Sequence, residues 1–509
     1  MRTRLLRPSL SRWLLPAVAV WALSCHRSTA PVTLTVVQSS DILTLDPNEQ
    51  FEVVTDTVAM NLFDSLLRFD GHMTLQPSLA QRWETPNGRT WRIHLRQGVH
   101  FHDGTLLSAD DVVYTFRRVL SHPDSELYAF LSGIDDVRAL DLRTVEIVTR
   151  RPTNVLTRLS FIYILPGKLL AREGEKEFFL HPVGSGAYRF VSRRPGERVE
   201  LEAFSDYWGG KPKISRAVFL TVPHAEDQWR AVTTSHPTVL LSAPRVGWSE
   251  HMRDTAVRLV ERASLSVSFL GVNVSPRPGN PRADRRVRQA IRKTLDLKEL
   301  VRRGGDTHAF PASQFVPPEV IGYNPELSVS EPDPDGARHL LAEAGFPSGL
   351  DLVLDSETGG RTLVVEEIIR QLGAIGIRVT SRFWPREVLF SRIDAGLSDF
   401  HLTGWICSSG ESSELFESSF HTREPHGTLG RSNGIGYSNP MVDRLTEQII
   451  ATIDTTARIA LEKRAMAIAV EDLPWIPLYV EEDRYALTAD LDWEPRADGE
   501  ILLSEIRLR

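Results

Sequence analysis

At 509 residues the chain is too long for a single hydrophobic core, so two or three domains are expected. Its composition, 41% hydrophobic, 25% charged and 8% aromatic, excludes a disordered or fibrous protein. The formal charge is −7; setting aside four leader arginines reduces 59 basic residues to 55 against 66 acids, a net of −11, which lacks the basic footprint nucleic-acid binding needs.

The leader comes first. Arg2, Arg4, Arg7 and Arg12 precede an apolar run, Trp13 to Leu23, of signal-peptide length and too short to span a bilayer. It ends in Ala22-Leu23-Ser24-Cys25, similar to a bacterial lipobox except that Ala22 stands where an aliphatic residue is usual. Residues 1–24 are therefore expected to be a lipoprotein signal peptide, with Cys25 carrying lipid and residues 25–30 serving as a tether. The alternative is an ordinary secretory signal cut near Ala30. Under the lipoprotein reading Cys407 is the remaining cysteine, and no intrachain disulfide forms. No other run approaches the ~18–20 apolar residues of a membrane span.

Val32–Val37 alternates threonine with aliphatics, as a strand does. Val54, Val58, Leu62 and Leu66, spaced by four, predict a helix over Val53–Phe69. Asn87-Gly88 predicts a chain reversal between Trp83 and the alternating strand at Trp91–Leu95. A turn at Asp103-Gly104 leads to a helix capped by Ser108 with Asp111 three residues on. Asp136–Val148 reads as a hairpin and Ser264–Val274 as a strand. Asp333-Pro334 opens a helix that Gly345 closes, and Leu350–Leu354, Leu363–Ala374 and Ile377–Phe383 form a βαβ-like run. Helix Thr455–Glu471 precedes Trp475–Val480, whose Pro477 predicts an edge or crossover strand.

The order of residues carries more than the periodicity. Pro77–Trp83 (P-x-L-A-x-x-W), Leu95–Thr105 (L-R-x-G-V-x-F-H-D-G-T) and Ser108–Phe116 (S-A-D-D-V-V-Y-T-F) closely resemble the signature of the extracytoplasmic solute-binding proteins of peptide- and nickel-type ABC importers, bacterial family 5. Thr44-Leu45-Asp46-Pro47, Pro182–Tyr188, Asp206–Pro212 and Asp284–Ile291 extend the resemblance over nearly all of residues 31–509. After Trp229, where the family usually has a G-E-x-D segment, this chain reads Thr234-Ser235-His236-Pro237-Thr238. The arginines at 285, 286 and 288 are read as a solvated helix face.

The resemblance implies an α/β, two-lobed periplasmic-binding-protein-like (type II) fold with an accessory domain and a hinged cleft. Lobe 1 would comprise 31–70, 180–262 and 485–509; the accessory domain 71–179; lobe 2 263–484. The crossings near Ser264–Phe269 and Tyr479–Tyr485 would be the hinge. It also implies ligand-facing residues at Leu45, Phe269, Gly271, Asn273, Trp405, Cys407, Ser408, Glu411 and Tyr437. In peptide-binding members an aspartate after G-W meets the peptide amine; here that position is Ser408. Either Glu411 restores the charge, or the solute has no free amine there, and the second is preferred because a displacement past Gly410 needs a rebuilt loop.

The function implied is a lipid-anchored, monomeric binding protein of the periplasm or cell envelope. It would capture a peptide or peptide-sized solute and deliver it to an ABC permease and ATPase complex, with no cofactor, no metal and no nucleic acid. Alternatives are a non-peptide solute, such as a sugar-containing compound or metal chelate, and an extracytoplasmic enzyme. No nucleophile–base pair or phosphate loop supports an enzyme; Ser185 lacks a G-x-S-x-G context. A transcription regulator with a similar binding domain would need an N-terminal DNA-binding module where this chain has a signal segment. His100 and His102 lack further ligands for a metal, and His421 and His426 flank a loop proline.

Cys25→Ala is expected to leave the exported protein soluble and unlipidated. Intact mass spectrometry of the mature chain checks it, and a wild-type chain that starts elsewhere without acyl mass counts against the lipid anchor.

Overall fold

The computed structural model describes residues 32–50, 52–123, 125, 127–304, 309–359, 361–425 and 428–509. The signal segment, Cys25, the tether and His426 lie outside the described residues.

Two long strands, Val257–Val272 and Trp475–Thr488, pair antiparallel and run through the middle of an eleven-stranded sheet counted among the described residues. Beyond one end, Thr238–Leu240, Thr33–Gln38, Arg216–Thr221, Arg198–Ala203 and Tyr188–Arg194 continue the sheet of lobe 1. Beyond the other, Phe400–Ile406, Asp351–Glu357 and Arg378–Trp384 build the sheet of lobe 2. The pairing breaks between Ala263/Glu482 and Val267/Val480, a bulge at the place where one lobe gives way to the other. Pro477 sits opposite Phe269, next to a second register irregularity. A residue without an N–H belongs at such an interruption rather than in a continuous ladder. The strand is the expected crossover rather than an edge: it pairs with Val257–Val272 on one flank and, at Tyr479–Val480 and Ala486–Leu487, with other strands on the other.

Ala80–Glu84, Thr90–Leu95, Thr144–Thr149 and Ile134–Asp141 form a separate four-stranded antiparallel sheet. Helix Ala109–Leu120 covers it with Val112, Phe116 and Val119. Gly88, at φ +71°, makes the Asn-Gly reversal, and Asp111 accepts the Ser108 N–H at the helix start (2.9 Å). Trp91 is almost wholly buried in this core and its indole N–H donates to the Thr153 carbonyl (3.0 Å).

The expected helix over Val53–Phe69 is shorter than its periodicity suggested. It ends at Leu62, and Leu67–Phe69 is a strand paired with Leu75–Pro77. Leu66 and Leu67 leave the helix because the accessory core, a separate apolar surface, takes them. Arg288 also departs from its solvated reading. It is 5% exposed and donates to the carbonyls of Asp472, Arg282 and Ala283, tying the turn before its own helix to the end of helix Thr455–Asp472.

The Pro182–Tyr188 turn packs backbone to backbone on the end of helix Val53–Leu62. Gly186 N–H donates to the Leu62 carbonyl (2.9 Å), and a Cβ on Gly184 would stand 1.9 Å from the same oxygen. His102 clamps the turn from the accessory side: one ring nitrogen lies 3.2 Å from the Gly184 N–H and the other 3.0 Å from the Gly186 carbonyl. Burial pushes its pKa down to about 4, so the imidazole is neutral, with one nitrogen accepting and the other donating.

Gly184→Ala should therefore destabilise lobe 1 by about 1–3 kcal/mol, as overpacking does where backbone cannot yield. Urea unfolding followed by tryptophan fluorescence checks it; an unchanged midpoint would contradict the close approach.

Candidate functional site

A cavity of about 70 Å³ lies between lobe 1 with its accessory domain and the turn that follows strand Phe400–Ile406 of lobe 2. Helix Val53–Leu62 brings Asp56 and Met60 to it, and the residues just beyond its end bring Phe63, Asp64 and Ser65. Phe161 and Tyr163 come from the return out of the accessory domain, and Arg496, Asp498 and Glu500 from the C-terminal segment. Lobe 2 contributes Ser408.

The turn at Ser408 is held from all sides. Cys407 N–H donates to the Leu265 carbonyl (3.0 Å), Ile321 N–H to the Gly410 carbonyl (2.9 Å) and Ser409 N–H to the Glu414 carboxylate (2.9 Å). Gly410 adopts φ +65°, and a Cβ there would meet the Met73 methyl at 2.9 Å, so glycine allows the lobes to approach. Burial pushes the Cys407 thiol well up, and it donates to the Glu411 carbonyl at 3.4 Å.

Four carboxylates, Asp56, Asp64, Asp498 and Glu500, stand among the aromatic and apolar residues of the lobe 1 side. Asp56 and Glu500 are hydrogen-bonded to each other, and the Tyr163 hydroxyl donates to Asp56 (3.0 Å). Burial raises both acids; the Asp56 charge raises Glu500 further, while the hydrogen bond from Glu500 lowers Asp56, so the proton of the pair rests on Glu500. Asp64 accepts from the Ser185 hydroxyl (3.0 Å), the Tyr207 hydroxyl (3.1 Å) and the Trp208 indole (2.9 Å). Burial outweighs these donors and lifts its pKa to about 6. Arg496, 2% exposed at its side chain, is fully engaged by Asp498 (2.6 Å), Glu505 (3.0 Å) and the Phe69 carbonyl (3.0 Å). Arg68 also lines the cavity.

The residues singled out from the sequence fall in several places. Ser408 lines the cavity. Glu411 does not: its carboxylate meets Arg458 Nε at 2.5 Å deep in lobe 2, beside Glu462. Burial first, and the Glu411 charge second, push Glu462 up to about 9, so Glu462 is neutral. Trp405 is half-buried against the lobe 2 core. Phe269 stacks on Trp475 with centroids 3.9 Å apart, and Gly271 gives room to His401, whose Nε2 would lie 2.0 Å from a Cβ there. Asn273 donates to the Gly396 carbonyl (3.2 Å), Tyr437 to Asp472 (2.7 Å), and Leu45 belongs to the lobe 1 core. The lobe 1 carboxylates escaped notice because Asp56 and Asp64 lie more than four hundred residues from Asp498 and Glu500, with no motif around either pair. Among the described residues no group of three or more His, Cys, Asp or Glu is placed to hold a metal ion.

The two-lobed α/β scaffold places a cavity, lined by aromatic and apolar side chains together with four carboxylates, at the junction of the lobes. The chain belongs to the bacterial extracellular solute-binding proteins, family 5, whose model matches residues 74–426. It is 28% identical over 487 residues to a glutathione-binding protein GsiB of Pectobacterium atrosepticum, covering 92% of this chain and 93% of that one, and is similarly related to GsiB of Escherichia coli O157:H7 (28% over 478 residues, 91% of each). The fold matches HbpA2 from Haemophilus parasuis with TM-score 0.83 at 23% identity, covering 94% of this chain and 100% of that one. It also matches DppA from Helicobacter pylori in complex with the peptide STSA, with TM-score 0.77 at 21% identity over 94% and 98%. The family is one of solute-binding proteins, not enzymes, and DppA is an ABC transporter-associated periplasmic binding protein.

Asp64 binds its proton more tightly in the folded chain than in the unfolded one. Its stabilising contribution is fully present below the ordinary 3.8 and is lost as pH rises through about 6. Asp64→Asn should therefore flatten part of the fall in unfolding midpoint across that window, the other raised acids, Asp56 and Asp483 among them, still contributing to it. Denaturant titrations at a series of pH values check it, and an equal fall in wild type and variant would contradict it.

Proposed function

We infer that the protein captures a small peptide with a free amine between its lobes, outside the cytoplasmic membrane, and hands it to an ABC permease. The observation that carries this reading is the cavity itself: Ser408 faces it from lobe 2, while Asp56, Asp64, Asp498 and Glu500 line it from lobe 1. Those carboxylates exceed the two arginines present, and Arg496 is already saturated. An ammonium suits such a site, because ionised acceptors bind it with charge-assisted hydrogen bonds in a dry cleft. This supports a free-amine peptide over the amine-free solute that Ser408 alone favours. Glu411 has no part in it, being committed to Arg458.

The cavity holds about two waters at ~30 Å³ each, whereas small-molecule sites span about 300–1,000 Å³. Loading a peptide thus requires the lobes to part, and the bulged strand crossing at 263–267 and 480–482 is the proposed bending point. Anchoring through lipid at Cys25 and a monomeric state complete the reading. Among the described residues no helix is long and apolar enough to cross a membrane.

Calorimetry with reduced glutathione and its N-acetyl form tests it. Wild type should prefer the free amine, and Asp64→Asn should weaken it about tenfold or more, since a charged hydrogen bond contributes roughly 1.5–3 kcal/mol. Equal binding of both forms would overturn the amine reading and favour a solute without that charge.

A further inference from the structure

The accessory domain meets lobe 2 at a second place, away from the cavity lining. Arg158 Nη2 lies 2.5 Å from Glu417 Oε2, with both side chains only 22% exposed. Beside this pair Asn154 N–H points to the Ile450 carbonyl (3.4 Å). Ile453, in the link between helices Pro440–Ala451 and Thr455–Asp472, packs against the accessory core. Its socket includes Gly88, where a Cβ would touch the Ile453 side chain at 3.4 Å. An ion pair, a backbone contact and an apolar knob thus span two domains that the chain joins only through lobe 1.

On the lobe 2 side these groups are wired to the turn that closes the cavity. Arg458 binds Glu411 through Nε (2.5 Å) and reaches the Ile453 and Thr452 carbonyls through Nη1 (3.4 and 3.5 Å). Glu414 accepts the Ser409 N–H (2.9 Å), and Glu417 follows three residues later in the same helical segment. The knob, the ion-pair partner and the Ser408 turn therefore move as one piece. Pulling lobe 2 from the accessory domain necessarily withdraws Ser408 from the cavity.

We propose that the accessory domain is a latch for cleft closure, with Arg158 and the Gly88 socket capturing Glu417 and Ile453 and so setting the fraction of molecules that are closed. This rests on the solute-capture reading for its use, but the latch itself can be tested without a solute. A latch that makes no ligand contact tunes affinity by changing how much of the binding-competent form is present.

The test uses Arg158→Glu, Glu417→Arg, the double swap and Ile453→Ala in the full chain. Amide hydrogen exchange at Asn154 and the radius of gyration from solution scattering are read with and without excess reduced glutathione. Each single swap should speed Asn154 exchange about two- to fivefold, the range that a partly exposed ion pair supplies, and enlarge the radius. The double swap should restore both. Ile453→Ala should behave like the single swaps, while exchange across strand Thr144–Thr149 stays unchanged, showing the accessory domain intact. Single swaps that leave exchange and radius at wild-type values, or a double swap that fails to restore them, overturn the latch. Glutathione affinity should fall by the same factor as the closed fraction. If glutathione fails to bind wild type, the solute-capture reading loses its support, while exchange and radius still decide the latch.

Discussion

Everything in this molecule depends on two strands that belong to both lobes. Val257–Val272 and Trp475–Thr488 are the ladder on which each lobe builds its own sheet, so the two main cores are joined by backbone hydrogen bonds, with one smaller apolar cluster bringing Met73 and Ala497 against lobe 2. A continuous ladder of that length would be stiff. The interruptions between Ala263 and Val267 and between Ser268 and Phe269 break it, and polar contacts accompany the buried Leu265 and Val267 side chains there. Ser268 and Arg361 both bind Glu481 there, at 2.5 and 2.6 Å. Hydrogen bonds of that kind exchange with water more cheaply than close-packed carbons separate, which is consistent with the bending point proposed above.

With the lobes so joined, the cavity becomes the place where burial of charge is concentrated. Asp56, Asp64, Asp498 and Glu500 are all drawn into lobe 1 around a single saturated guanidinium. Burying carboxylates is unfavourable unless donors or a proton compensate. Here Tyr163, Tyr207, Trp208 and Ser185 supply donors, and a proton on Glu500 neutralises part of the Asp56–Glu500 pair. That compensation is incomplete, as the raised acids show. A site left under-compensated is one in which an arriving cation gains more than it would in water.

Local features were the legible part of the sequence. The Asn87-Gly88 reversal, the Asp333 cap, which accepts the Gly336 N–H at 2.8 Å, and the strand alternations each depend on neighbours within a few residues. The family signature fixed the fold because its segments are exactly those local units in a particular order. Reading failed where distant chain decided the outcome. Leu66 keeps the helical period but is claimed by another core, and Arg288 has the look of a surface residue until Asp472, almost two hundred residues on, presents its carbonyl. The acids of the cavity are the extreme case, since Asp56 and Glu500 come together only through the fold.

That same dispersal bears on Ser408. A motif position can lose its charge without the site losing it, provided another segment faces the same space. The opposing wall carries several carboxylates, so a serine on the lobe 2 turn is compatible with an amine-bearing solute, whereas Glu411, closest in sequence, has its carboxylate turned toward Arg458. Nearness along the chain and nearness in the cavity are different quantities, and strand Phe400–Ile406 separates them. The turn it leads into shows Ser408 to lobe 1 and directs Glu411, three residues later, into the lobe 2 interior. A charge placed at 411 therefore serves the rigidity of the turn, and only a charge at 408 or on the lobe 1 wall would face the cavity.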